Sequence, residues 1–125
     1  MEKKAHILVV DDEQYVRELL KRTLEQEGYA VTLAADGSSA LVRLREHTPD
    51  LVLLDIRMPD LTGYQVLERI REQFDVPVIM LTGVLEPTVV EQSVGLGADD
   101  YIRKPFNPRV LLARIEAKLR RAKQA

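Results

Sequence analysis

The sequence contains no cysteine, which excludes disulfide frameworks, Cys-zinc sites and thiol nucleophiles, and permits a reducing compartment without demanding one. It has no strong excess of either charge. The 18 Lys and Arg against 20 Asp and Glu leave −2, too little bias for a domain that grips nucleic acid or an anionic membrane through its field. A long apolar run is missing too: the stretch after His6 is broken at Asp11, too short for a signal-peptide core or a membrane span. A soluble cytosolic domain with no membrane partner is therefore expected. There is no internal repeat, low-complexity tract or linker. What is present is 125 residues, 46% apolar and 30% charged, enough for one hydrophobic core and a solvated surface. The expectation is one domain over residues 1–125, with hardly any length left for a second folding unit.

Ile7-Leu8-Val9-Val10 is a short, β-branched apolar run, the kind expected of a strand covered on both faces in a parallel sheet. Four similar segments follow: Tyr29–Leu33, Leu51–Leu54, Val76–Leu81 and the shorter Tyr101–Arg103. Helical spacing lies between them. Val16, Leu19, Leu20 and Leu24 form one stripe, stopped by Gly28; Ala40, Leu41 and Leu44 form a second, and Val66, Leu67 and Ile70 a third. Leu111, Leu112, Ile115 and Leu119 form the last, opened by Asn107 as cap and Pro108 at the first helical position. The fourth helical segment, after Pro87, is predicted short and marginal, because Val89, Val90 and Val94 are poor helix formers and Gly95 and Gly97 follow closely. Strand and helix alternate five times, which predicts an α/β fold with a five-stranded parallel sheet between helices. In such sheets ligands bind beyond the carboxyl ends of the strands, near the point where strand order reverses.

The first strand is followed by Asp11, Asp12 and Glu13, where a nucleotide-binding α/β domain has glycines that let backbone N–H groups approach a phosphate. Three carboxylates would repel one. Helix-dipole preference accounts for Glu13 in a first turn, but less well for Asp11 and Asp12 at a strand end. The third strand ends at Asp55, which taken alone reads equally well as a loop or capping residue. If the first and third strands are neighbours, Asp11, Asp12 and Asp55 share one pocket, and like charges that close require a cation. An oxygen-rich site with room for water suits Mg²⁺. Thr82-Gly83 and Lys104-Pro105 end the fourth and fifth strands, adding a hydroxyl and an ammonium to the same rim; Pro105 also makes a cis peptide bond available. Carboxylates, a hydroxyl and an ammonium together suit transfer of an anionic group to an oxygen nucleophile.

Asp11-Asp12, Asp55 with Met58-Pro59 and Gly63, Thr82-Gly83 and Tyr101-Ile102-Arg103-Lys104-Pro105 closely resemble the receiver domain of two-component response regulators, from about Ile7 to about Arg121. The resemblance implies a flavodoxin-like (βα)5 fold with strand order 2-1-3-4-5. It further implies a cytoplasmic signalling switch rather than an enzyme with an external substrate, promoting only its own phosphorylation and dephosphorylation. Asp55 would be the phosphoacceptor from a sensor histidine kinase, with Mg²⁺ held by Asp11, Asp12, Asp55 and the backbone carbonyl of Arg57. Thr82 and Lys104 would contact the phosphoryl oxygens, and Tyr101 would turn inward when Thr82 is drawn toward them.

The C-terminal segment is similar to receivers that precede winged-helix DNA-binding domains, so DNA would be met only through an output domain outside this chain. Such receivers dimerise through the fourth helix, fifth strand and fifth helix. Asp100 and Arg114 keep one expected ion pair of that face, whereas Gly95, Val110 and Glu116 replace acidic, acidic and basic residues. Exposed pairs contribute little singly, so a dimer that loses several is weak. Arg57 and Val84, two residues beyond Asp55 and Thr82, are expected to tune the lifetime of the phosphorylated state. Kinase specificity is expected on the first helix around Gln14, Arg17 and Glu18. His6 and His47, far apart in sequence, are expected to serve neither zinc nor phosphorelay. Arg120, Arg121 and Lys123 make a basic helix end, favourable to the dipole or continuing into a linker. Two other classes remain. A haloacid-dehalogenase-like phosphatase would need a second Asp where Arg57 stands, and a partner-binding pseudo-receiver would not need all five site residues.

Overall fold

A computed structural model of the chain describes residues 5–83 and 97–124. Five strands, β1 (His6–Val10), β2 (Ala30–Ala34), β3 (Leu51–Asp55), β4 (Val78–Thr82) and β5 (Asp100–Arg103), form one sheet in the order β2-β1-β3-β4-β5. Every pairing is parallel. Among the described residues four helices accompany them: α1 (Gln14–Gln26), α2 (Gly37–Glu46), α3 (Gly63–Gln73) and the C-terminal helix, here α4 (Pro108–Gln124). The expected helical segment after Pro87, with Val84 and Gly95 at its borders, lies outside the described residues.

The period of two in the strands divides the core into two layers. Leu8, Val10, Val52, Leu54, Val78 and Met80 face Ala40 and Leu44 of α2 and Val66, Leu67 and Ile70 of α3. Ile7, Val9, Leu51, Leu53, Ile79 and Leu81 face Leu20 and Leu24 of α1 and Leu111 and Ile115 of α4. Because alternate residues belong to opposite apolar layers, residues 7–10, 51–54 and 78–81 include no polar position. That is why polarity begins abruptly at Asp11, Asp55 and Thr82, all three buried.

Local chemistry sets the element ends. Gly28 stops α1 at φ +92°, a region costly for other residues, and donates to the carbonyl of Glu25 at 2.9 Å. Asn107 caps α4 by accepting from Arg109 N–H at 2.9 Å, with Pro108 at the first helical position, as the sequence predicts. Thr62 and Gln65 form a reciprocal capping box at the start of α3. Strand boundaries differ from the periodicity by one or two residues: β3 extends to Asp55, and β4 runs Val78–Thr82 rather than Val76–Leu81. Pro77 explains the second shift, since it has no N–H for the ladder.

Candidate functional site

The register of the sheet assembles the site. Val10 pairs with Leu54, so Asp11 and Asp55 are the next residues on adjacent strands. Asp55 pairs with Leu81, and the N–H of Lys104 donates to the carbonyl of Thr82 at 2.7 Å. Four strands thus deliver Asp11, Asp55, Thr82 and Lys104 to one rim. Ligand oxygens of Asp11, Asp12 and Asp55 all lie within 4.8 Å of one another, the only group of three His, Cys or acidic residues so placed among the described residues.

Lys104 sits among these carboxylates. Its Nζ is 2.7 Å from Asp11 Oδ2, 3.4 Å from Asp55 Oδ2 and 3.9 Å from Glu13 Oε1. Burial pulls the Lys104 pKa down, but the hydrogen bond to Asp11 and the charges of Asp55 and Asp11 outweigh it, and the net shift is upward. Lys104 therefore stays an ammonium. Burial drives Asp55 the other way, and with the Asp11 charge pushes its pKa up to about 6 against the opposing pull of Lys104 and the Arg57 N–H. That N–H reaches Asp55 Oδ1 only at 3.4 Å, which is weak support.

Asp11, fully buried, is held more firmly. Its Oδ1 accepts from the Glu13 N–H at 2.9 Å, its N–H donates to the Ala34 carbonyl at 3.1 Å, and its carbonyl accepts from Arg17 Nη1 at 2.7 Å. Its Oδ2 faces only the Lys104 ammonium, at 2.7 Å. A buried carboxylate oxygen in that state, a second buried carboxylate and the exposed Asp12 make an all-oxygen donor set. Such a set fits a hard divalent cation that keeps part of its water.

Asp12, Glu13, Asp55, Ile56, Arg57, Thr82, Gly83 and Lys104 line an open cleft of about 490 Å³. Gly83 adds no side chain to the wall beside Thr82, and a Cβ there would meet no heavy atom within 4 Å among the described residues. Gly63 has the opposite role: a Cβ would come 2.3 Å from the Asp55 carbonyl oxygen, so α3 starts directly against the phosphoacceptor candidate's backbone. A larger hollow of about 950 Å³ lies at the opposite ends of the strands, around His6, Tyr29, Thr32, His47 and Asp50. Among the described residues its one carboxylate, Asp50, is occupied by the His6 N–H at 2.7 Å, and no cation-ready group lies there.

All the sequence-predicted site residues except Tyr101 meet at this cleft or its floor. Tyr101 is half-buried on the Leu8–Met80 layer, opposite Met80 in the β4–β5 register. Three details differ from the sequence reading. Glu13 is not in the first turn of α1 but precedes it, and lies on the cleft rim near Lys104. Arg17, expected on a kinase-facing surface, is half-buried and tied to the Asp11 carbonyl. His6 and His47 pack ring against ring, centroids 4.8 Å apart, despite their separation in sequence. Asp60 and the Gly63 close approach escaped sequence reasoning, since nothing local marks a loop carboxylate that bonds 22 or 23 residues upstream. The Lys104–Pro105 peptide bond is cis.

Residues 7–116 match the response regulator receiver domain family. The chain is 46% identical over 125 residues to a probable transcriptional regulator ycf27 of Guillardia theta, covering all of this chain and 49% of that protein. It is 44% identical over 121 residues to the transcriptional regulatory protein CseB of Streptomyces avermitilis, covering 97% of this chain and 52% of the relative. It thus spans about half the length of these relatives. Among solved structures, a CheY-like receiver domain protein from Methanospirillum hungatei superposes with TM-score 0.90 at 37% identity, covering 95% of this chain and 96% of that one. The chemotaxis protein CheY4 of Vibrio cholerae gives TM-score 0.86 at 33% identity, with 91% and 98% covered.

The chain belongs to the response regulator receiver domain family, the phosphorylation-controlled switch of two-component signalling. The two curated relatives above are named as regulators of transcription. No helix among the described residues is long and apolar enough to cross a membrane.

Proposed function

We propose that Asp55 is the phosphoacceptor. A carboxylate oxygen of Asp55 attacks the phosphorus of a phosphohistidine on a sensor kinase, the P–N bond breaks, and the imidazole leaves with the bonding electron pair. The product is an acyl phosphate on Asp55. One observation carries this reading: Asp55 is a nearly buried carboxylate at the floor of the cleft, with the Lys104 ammonium 3.4 Å away.

Lys104 neutralises charge on the incoming phosphoryl group, and the Thr82 hydroxyl donates to one of its oxygens. Asp11, Asp12, Asp55 and the Arg57 carbonyl would hold Mg²⁺, which supplies further positive charge to the phosphoryl oxygens when bound. Capture by Thr82 draws it toward the phosphoryl group, and Tyr101 follows into the space vacated, changing the β4–β5 surface offered to partners. The domain works in the cytoplasm, as a single receiver over residues 1–125, and passes its signal to a transcription-regulating output. Asp100 and Arg114, paired at 2.9 Å within the chain, belong to a face for weak self-association.

Incubation with acetyl phosphate, followed by weighing of the intact protein, tests the mechanism. A mass gain of one phosphoryl group that needs Mg²⁺ and is lost in Asp55→Asn is expected; an equal gain in that variant would overturn it. Arg57 lines the cleft where water must approach, and we infer that it sets the lifetime of the acyl phosphate, alongside Val84, which lies outside the described residues. Timing the loss of the added mass in Arg57→Ala checks this, and decay at the wild-type rate would refute the role of Arg57.

A further inference from the structure

The loop between β3 and α3, residues 56–62, carries Ile56 and Arg57 into the cleft. Its two ends are fixed. Ile56 donates its N–H to the Leu81 carbonyl at 3.2 Å, and at the exit the Gly63 N–H returns to the Ile56 carbonyl at 2.7 Å. Between these ends Met58 and Leu61 rest on the core, contacts that hold a depth but no direction. Direction comes from Asp60. Its Oδ1 accepts from the Gly37 N–H at 3.0 Å, and its Oδ2 accepts from the Ser38 N–H at 3.0 Å and the Ser38 hydroxyl at 2.7 Å. The Ser38 hydroxyl, with the N–H groups of Gly37, Leu61 and Ser38, holds the Asp60 carboxyl well below the usual carboxylate range.

The partners make this arrangement informative. The first turn of a helix has unsatisfied N–H donors that a neighbouring side chain or water can serve. Asp36 does so locally for Ser39, at 2.7 Å. The two donors before it are served by a residue 22 or 23 positions further along the chain. Solvent could satisfy Gly37 and Ser38 as well, so what the long-range bonds add is a fixed place for the loop. Packing agrees: a Cβ at Gly37 would come within 2.7 Å of Leu61 Cβ and 2.8 Å of Val66 Cγ2, so helix and loop already touch at van der Waals distance.

We propose that Asp60 is a positioning residue for the phosphoryl site, latching the β3–α3 loop to the first turn of α2 so that Arg57 keeps its place beside Asp55. This rests on the reading of Asp55 as phosphoacceptor and of the Arg57 carbonyl as a Mg²⁺ ligand. Asp60 touches neither; it acts through the loop, as an outer-shell residue orients a ligand.

The test compares wild type with Asp60→Ala, Asp60→Asn and Ser38→Ala. Arg71→Ala serves as a control, because Arg71 clamps Gly97, Val76 and Asp99 in a separate network. Mg²⁺ affinity is read by calorimetry and latch opening by amide exchange at Gly37, Ser38 and Arg57. Asp60→Ala is expected to weaken Mg²⁺ binding by about tenfold and to speed all three amides, with Asp60→Asn and Ser38→Ala in between. Arg71→Ala should lower the melting temperature and leave Mg²⁺ affinity alone. Faster exchange at Gly37 and Ser38 with Mg²⁺ affinity still within about twofold of wild type would overturn the proposal, as would unchanged exchange. Should Asp60→Ala not fold, Asp60→Asn and Ser38→Ala carry the same comparison. If wild type itself binds no Mg²⁺ and takes no phosphoryl group from acetyl phosphate, the underlying reading of the site fails, and this one with it.

Discussion

Asp55 is held in a state that, when ionised, opposes the stability of the fold. Its folded pKa of about 6 stands above the unfolded value, so the fold binds this proton more tightly than the unfolded chain does. The resulting contribution is complete below about pH 4 and is lost as pH rises through about 6. At pH 7 the ionised group is a cost, relieved by a proton, a cation or a neutral isostere. In Mg²⁺-free buffer at pH 7, Asp55→Asn should therefore be more stable than wild type by on the order of 1–2 kcal/mol. The difference should shrink toward zero near pH 4. Thermal melts at both pH values check this, and a destabilised variant at pH 7 would contradict it. His6 has the opposite sensitivity: burial first, then the His47 charge, lower its pKa, so acidification through the ordinary histidine range works against the packed pair.

The ends of elements decide whether the site exists. Helix α3 begins so close to β3 that Gly63 has backbone on the side where a Cβ would point, with the Asp55 carbonyl oxygen at 2.3 Å and Ile56 Cα at 2.7 Å. Neither atom can move without moving Asp55. Gly63→Ala should cost on the order of 3 kcal/mol and also slow phosphoryl acceptance, read by denaturant melts and acetyl phosphate labelling. Gly83→Ala, whose new methyl group meets nothing within 4 Å among the described residues, is the matched control for stability and should leave the melt nearly unchanged. Equal effects at the two glycines would refute the close-approach account. Arg17 belongs at this scale too, because its bond to the Asp11 carbonyl joins α1 to the end of β1.

For the molecule as a whole, the acidity is unevenly spread. The net charge is only −2, yet three carboxylate oxygens gather within 4.8 Å at one rim, partly countered by Lys104. A cation that binds there binds the folded chain and not the unfolded one, and so raises stability by mass action. Added Mg²⁺ should raise the melting temperature, with a gain of about 2.7 kcal/mol at a hundredfold excess over its dissociation constant. The gain should vanish in Asp12→Ala, whose exposed side chain the fold does not need. A shift of the same size in that variant would place the cation elsewhere.

The α/β alternation, the strands buried on both faces and the acidic, hydroxyl and ammonium residues at their carboxyl ends are all legible in the order of residues. All of these follow from local periodicity and from which residue ends each apolar run. Strand adjacency was different: Asp11 and Asp55 become neighbours only if β1 pairs with β3, and the resemblance to a family, rather than any local pattern, supplied that order. That Arg17 serves the Asp11 carbonyl, that His6 meets His47, and that Asp60 reaches back to α2 emerges only once the chain is folded. These contacts join residues on different elements, through bonds whose partners are fixed by sheet register and helix packing. Periodicity carries which face a residue takes, and it does not carry what that face will meet.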